Sequence, residues 1–597
     1  MKKYIILFVI TLLVCQSCND DFLERYPETS IARENFFNSE EDLATYVYSL
    51  YDFPGFGIYV SDLSTDNAAT TGVTEIKNMM IGTPTAATVT EGWSWTQLRN
   101  INYYLVNMRK AKINEAALNH YEGLGRFFRA KFYMDKVKRY SNVPWYDKAL
   151  ETNDADLYKK QDPRTLVVDK IFEDYAFAAQ HVREDDRSGA VNKWVVLAYQ
   201  ARHALHEGTF RKYHDELSLQ GTANIYLQLA RDAAKQIIDN GGFSIYNTGK
   251  PMADYGALFN STNLESNPEV ILATFNENEK QNSGWWAYMF GNYEVNPVRD
   301  LMQTYLMADG TPFTNQPGYQ TKQFVQEFQN RDPRLYQTYA YPGWELINTS
   351  TYAQGGGIYV QQLAKNFSGY HQIKGFVNNT STAVQNSLDI PVIRLAEILL
   401  IYAEARAELG ELTQADLDLS VNKLRARAGM GSLMLNAPAD PVLQAQYPNV
   451  SGAQPDVLRE IRRERRVELA LEGFRFDDLM RWHAGKLIEK EPEGLYFPGL
   501  GKYDLTGDAV VDIILIPNTQ PIPAEADKEQ NSLGKKLIYY QVGPQGSDAS
   551  FYLSNGTSGT SVTDPERGTF TEPKYYYRPV PAPQVLLNPN LEQVFGW

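Results

Sequence analysis

A mainly α-helical fold is what this sequence predicts: a tetratricopeptide-like array of helix pairs with long irregular loop insertions and a few short strands. Three observations predict it. Apolar residues recur at three- and four-residue spacing over several stretches between about 40 and 250 and again after 391, the period of helices buried along one stripe. The segments GRFFRAKFYMDKVKRYSNVPW, NKWVVLAYQARHALHEGTFRKY and IRLAEILLIYAEARAELGELTQ each put small alanines at packing positions and then close on a turn, as degenerate copies of a two-helix unit do. Gly, Asn, Pro, Ser and Tyr then dominate from about 250 to 390 and from about 490 to 597, where helical periodicity fades into short strand and loop signals such as GGGIYVQQL.

The chain opens on an export leader. Lys2 and Lys3 precede an apolar run from Tyr4 to Val14, long enough for a signal peptide and short of the roughly 20 residues that span a bilayer. The run closes on Cys15-Gln16-Ser17-Cys18. A cysteine at that point suits lipoprotein processing, so residues 1–17 are expected to leave as the signal peptide and Cys18 to carry lipid. The only cysteines are Cys15 and Cys18, which excludes a disulfide, a thiol nucleophile and a Cys-ligated metal from the mature chain. Residues 18–597 read as one domain, with its helical scaffold over about 40–250 and 391–490.

The helices follow in order. Glu40 to Tyr51 opens the scaffold. Gln97 to Lys112 aligns Leu98, Ile101, Leu105 and Met108, and Gly125 to Tyr140 aligns Phe127, Ala130, Met134 and Val137. Thr165 to Val182 and Val191 to Glu207 come next, and Ile225 to Asn240 stops at Gly241-Gly242. Arg394 to Leu409 carries Leu395, Ile398, Leu399 and Tyr402 on one face and ends at Gly410. Pro455 to about Trp482 reads as one further helix. Its glutamates alternate with Arg462, Arg463, Arg465 and Arg466, which predicts a self-neutralising solvated face, with a buried Arg–Glu clamp as the other reading.

Charge limits the partners. There are 57 Lys and Arg against 72 Asp and Glu, a net −15 that becomes −17 once Lys2 and Lys3 leave with the leader. That balance argues against nucleic acid and anionic lipid surfaces. Rings are plentiful, with 39 Tyr, 27 Phe and 9 Trp, and a pyranose C–H face packs well on an aromatic face.

The stretches RLAEILLIYAEA, RERRVELALEGFRFDDLMRW and the ending YYYRPVPAPQVLLNPNLEQVFGW resemble the RagB/SusD family of bacterial surface glycan-binding lipoproteins. So do the N-terminal CNDDFLE and the segment EGWSWTQLRNINYYLVNM. The resemblance implies a lipid anchor in the outer membrane, with Asn19, Asp20 and Asp21 marking display at the cell surface. It implies capture of oligosaccharide and its delivery to a SusC-like TonB-dependent transporter. It also implies a sugar platform built from loops. Trp95 and Asn100 match its helix start, Asp66 and Asn67 its early Asp-Asn loop, and Trp285, Trp286 and Tyr293 its middle insertion.

Catalytic signals are sparse. The chain lacks G-x-S-x-G, H-E-x-x-H, a P-loop and a dinucleotide-binding glycine fingerprint. His203 and His206 are three apart with His214 beyond, without the carboxylate pattern of a metal site. No cofactor is called for, and a supporting calcium ion is left open. Trp194 and Trp482 sit on helical stripes and read as core. A surface glycosidase, or a peptide-binding helical-repeat scaffold, remains the alternative to glycan capture.

Overall fold

The computed structural model describes residues 36–184, 189–276, 295–347, 354, 356–379 and 388–597. The leading helices that build the scaffold are α1 (Glu40–Tyr48), α2 (Thr96–Asn107), α3 (Glu115–Tyr140), α4 (Arg164–His181), α5 (Lys193–Tyr213) and α6 (Ala223–Asn240). Ser39 and Asp42 bond reciprocally across the start of α1, closing a capping box. Helix α3 starts well before the expected Gly125. Gly123 and Gly125 lie inside it because side chains there would strike neighbours: a Cβ on Gly125 would stand 2.6 Å from Leu105, and one on Gly123 2.8 Å from Val182. The two glycines therefore let α2 and the end of α4 pack closely on α3.

Each helix from α2 to α6 packs on the next, and α6 packs on α7 (Leu395–Glu408), which packs in turn on α8 (Pro455–Glu468). This is the expected tetratricopeptide-like succession. The core it encloses runs from Ile101 and Phe127 through Leu197 and Leu227 to Leu399 and Ile461. Gly410 ends α7 as expected. Its φ is +74°, and the Gly410 and Glu411 N–H groups donate to the Ala407 and Arg406 carbonyls, the paired bonds of a Schellman stop.

The charged segment departs from expectation twice. It is two helices rather than one, because Leu471 (φ +60°) and Gly473 (φ +79°) turn the chain between α8 and α9 (Arg475–Arg481). The buried Asp62 carboxylate accepts the Leu471 N–H at 3.0 Å and fixes that turn. Nor is the charged face solvated. Every residue of α8 from Val457 to Glu468 is buried, so the clamp reading holds along its length. Glu468 takes Arg334 at 2.9 Å and Arg394 and Arg427 at 2.6 Å. Glu464 takes Arg334 and Arg425, Arg462 reaches Glu408, and Arg465 reaches Asp478. Burial alone would raise the Glu468 carboxyl, but the guanidinium groups of Arg427, Arg394 and Arg334 hold it far below its ordinary value.

Short strands complete the fold. β1 (Val270–Thr274) and β2 (Ile390–Arg394) pair antiparallel with an irregular register that sets Val270 opposite Arg394, and this delivers Glu269 and Arg394 to the ion network at 3.0 Å. β3 (Glu493–Phe497) pairs antiparallel with β8 (Gly559–Val562). A four-stranded sheet runs in the order β7 (Phe551–Tyr552), β6 (Ile538–Gly543), β5 (Ile513–Pro517), β4 (Gly501–Tyr503). Its inward residues, among them Ile513, Leu515, Val542 and Phe551, join a second core with Leu301, Tyr305 and Tyr370. The last helix, α10 (Ala582–Leu587), lies in the C-terminal segment. Among the described residues no helix is long and apolar enough to cross a membrane. Cys18 and the leader lie outside the described residues.

Candidate functional site

The segment before α2 is held against α3 from beneath. Gly92 takes φ +90°, and a Cβ there would lie 2.5 Å from the Arg139 side chain, so the tight approach depends on glycine. The Lys136 ammonium donates to the Gly92 carbonyl, and the Tyr140 hydroxyl to the Glu91 carbonyl at 2.7 Å. Burial lowers Lys136 to about 8. So fixed, Trp93 and Trp95 meet edge-on with ring centroids 5.5 Å apart. Trp93 leans on Tyr140 at 4.7 Å, and Trp95 on Tyr146 at 5.7 Å. Neither tryptophan is fully buried.

The two rings line a groove of about 540 Å³. Tyr146 and Tyr158 add rings, and α10 with the residue after it adds Gln584, Leu587 and Asn588 from the far end of the chain. The Asn102 amide donates to the carbonyls of Tyr146 (2.9 Å) and Lys148 (3.2 Å) and fixes that wall. Lys148 is neutralised by Asp154 and Asp156 at 3.1 and 2.8 Å, while Arg99 stands exposed at the edge. Glu151 is the one carboxylate among the described lining residues. Aromatic faces, amides and scattered charge around an open groove can stack and hydrogen-bond a polyhydroxylated ligand.

The predicted site residues separate on this map. Trp95 lines the groove. Asn100 is exposed on α2 but is not among the groove's lining residues, and its carbonyl accepts the Tyr46 hydroxyl at 3.1 Å. Asp66 and Asn67 of the early loop are not among the groove's lining residues. Both Asp66 oxygens accept from Arg475 at 2.7 Å, and Asn67 accepts from Arg466 at 2.8 Å while donating to Asp62 at 2.9 Å. Burial would raise Asp66, but Arg466 and Arg475 hold it well below its usual range. Asp66 borders a different cavity of about 430 Å³, beside Asp300 and Lys490, which shares no lining residue with the groove. These two residues brace the turn between α8 and α9. Trp285, Trp286 and Tyr293 lie outside the described residues.

The remaining tryptophans and histidines considered lie in the core, Trp194 and Trp482 as the sequence predicts. Trp194 and Trp482 are buried, the latter donating its indole N–H to Glu404 at 2.7 Å. Trp344 is buried against Tyr359. His203 pairs with the Tyr175 hydroxyl at 2.8 Å, and burial pushes both His203 and His206 well below the ordinary imidazole value. The groove residues that sequence reasoning missed are Tyr146, Tyr158 and the C-terminal trio. Tyr146 follows a helix-ending turn and carries a faint signal. Gln584, Leu587 and Asn588 carry none, since nothing in the sequence pairs them with Trp95.

The sequence profile of the SusD family matches residues 257–597, more than half of the chain. The chain belongs to the SusD family. Full-length relatives agree: this SusD-family chain is 24% identical to SusD-like protein P38 of Formosa agariphila over 81% of its own length and 92% of the relative's. A SusD-like protein of Bacteroides ovatus is 22% identical over 86% and 91%. Solved structures share the fold. A SusD-like protein of Bacteroides fragilis superposes with a TM-score of 0.68 at 20% identity, covering 95% of this chain and 99% of that one. A SusD-like carbohydrate-binding protein of the same species gives 0.66 at 21%, covering 93% and 100%.

Proposed function

We propose that this SusD-family protein is a non-enzymatic, lipid-anchored receptor that captures oligosaccharide in the groove at Trp93 and Trp95. It then delivers the ligand to a SusC-like TonB-dependent transporter in the outer membrane. The observation that carries the reading is the pair of partly exposed tryptophans at the mouth of the 540 Å³ groove, locked in place by α3. A solved neighbour described as a carbohydrate-binding protein points the same way. Each stacked ring contributes on the order of 1 kcal/mol, which suits micromolar to millimolar affinity. Hydrolysis would need two carboxylates about 5–10 Å apart across the bond, and the described lining offers Glu151 alone. That favours binding over a surface glycosidase. On sequence grounds Trp285, Trp286 and Tyr293 belong to the same platform.

A glycan array run on the mature protein identifies the ligand, and isothermal titration then compares variants. Trp95→Ala is expected to weaken binding about tenfold, roughly 1.4 kcal/mol, at an unchanged melting temperature. Wild-type affinity in Trp95→Ala and Trp93→Ala together would remove the groove from the function. New reducing ends released from the glycan panel would favour the glycosidase.

A further inference from the structure

Two histidines and a glutamate from distant parts of the sequence meet beneath the C-terminal segment. His214 follows α5, Glu216 lies two residues on, and His483 comes just after α9. One potential ligand atom from each lies within 4.8 Å of the others. His214 is fully buried, with Phe210 stacked on its ring at 3.8 Å and Tyr576 edge-on at 4.7 Å. Its Nε2 lies 2.8 Å from the Met480 carbonyl and its Nδ1 2.8 Å from Glu216 Oε1. The Tyr577 hydroxyl donates to that same Glu216 oxygen at 2.7 Å. His483 is 28% exposed, and its Nδ1 stands 3.5 Å from Glu572 Oε1. Tyr576 donates to Glu572 at 2.6 Å, and Lys486 approaches the other Glu572 oxygen at 3.4 Å from the solvent side.

The Met480 carbonyl can only accept, so Nε2 carries the hydrogen and the Nδ1 lone pair faces a carboxylate. That 2.8 Å contact is met either by a second ring proton or by an ion bound to both atoms. A histidine that donates one ring N–H to a backbone carbonyl while turning the other nitrogen towards a carboxylate is oriented as metal-bound histidines are. Tyr577 orients the glutamate in the same manner. Two imidazoles with carboxylates suit zinc and its neighbours, whereas calcium and magnesium prefer oxygen donors alone.

We propose that His214, Glu216 and His483 form a site for a zinc-like divalent ion, with Glu572 placed to complete it. Closing to ligand distance moves chiefly His483, whose side chain is the most open of the three histidine and glutamate ligands. Such an ion would tie the end of α5 and the turn after α9 to the Glu572–Tyr577 segment. That segment leads directly into α10, the far wall of the groove.

The test uses the full chain, stripped with chelator and titrated with zinc chloride by calorimetry, with cobalt chloride as a spectroscopic probe. The variant is His483→Asn, since asparagine tolerates the left-handed backbone (φ +52°) at this position. Expected are one zinc per chain at micromolar affinity or tighter, the visible absorption of four-coordinate cobalt, and a zinc-dependent rise in melting temperature. In His483→Asn the affinity falls at least tenfold while the metal-free melting temperature stays at the wild-type value. Absence of stoichiometric zinc binding means that a proton alone fills the position, and overturns the site. Wild-type zinc affinity in His483→Asn, or a stronger response to calcium than to zinc, overturns it equally.

Discussion

At the scale of single residues, buried charge dominates this protein. Glu468 is fully buried yet ionised, because three guanidinium groups surround it at 2.6 to 2.9 Å. Removing one partner from such a cluster leaves uncompensated charge in a low-dielectric interior, which costs about 3–5 kcal/mol. Glu468→Gln should lose that much, read from the shift in a urea unfolding curve. The same residue sets a pH dependence. Its folded-state pKa lies below the ordinary 4.5, so its stabilisation is present in full above about pH 4.5. As the pH falls further the unfolded chain takes up the proton first, and the contribution drains away towards the depressed folded value. Unfolding curves from pH 7 to pH 3 should therefore steepen their loss below about 4.5, and Glu468→Gln should flatten that part of the profile. A profile identical to wild type would show that other carboxylates carry the acid sensitivity.

At the scale of elements, the break between α8 and α9 does the most organising. It lets Arg462 and Arg465 point from α8 towards Glu408 and Asp478 while Arg475 and Arg481 return from α9 to Asp66 and Glu404. Gly473 makes the break possible at φ +79°, and a Cβ there would meet Ser61 Oγ at 2.9 Å and Ile58 at 3.1 Å. Gly473→Ala is accordingly expected to cost about 1–2 kcal/mol from the left-handed backbone alone, with the contact adding to it. A thermal melt measures this, and an unchanged melting temperature would mean that the turn relaxes freely. The interleaved glutamates and arginines made the helices legible but not the break. Leu471 takes a left-handed φ although it is not glycine, and it is held by Asp62, which lies over four hundred residues earlier.

At the scale of the molecule, the C-terminal segment acts as a strap across the N-terminal helices. The Arg578 N–H donates to the Arg139 carbonyl at 2.7 Å, Ala582 to Ala86 at 2.8 Å, and the Asn588 amide to the Lys159 carbonyl at 2.9 Å. The strap also supplies one wall of the groove. Deleting residues 582–597 should lower both the melting temperature and glycan affinity, measured by calorimetry on the same preparations. If affinity survives while stability falls, the wall formed by α10 does not touch the ligand. The proposed anchor is independent of this fold. Cys18→Ala should move the protein from the membrane fraction to the soluble one without changing glycan affinity, and lipid label still incorporated into that variant would refute the anchor.

The sequence by itself determined the helical scaffold, its order and most of its stops, because those depend on local apolar period, caps and glycines within a few residues of one another. It also singled out Trp95, since a tryptophan before a helix start in a polar loop is visible as such. What only the tertiary structure decided is which charges are buried and which rings share a cavity. The resemblance pointed to Asp66 and Asn67, and only the fold shows that Arg466 and Arg475 reach them from α8 and α9. The groove joins Trp95 to Leu587, and the cluster under the strap joins His214 to His483. Contacts across such separations are fixed by how helices and strap pack, an interaction whose energy has no local trace in the chain.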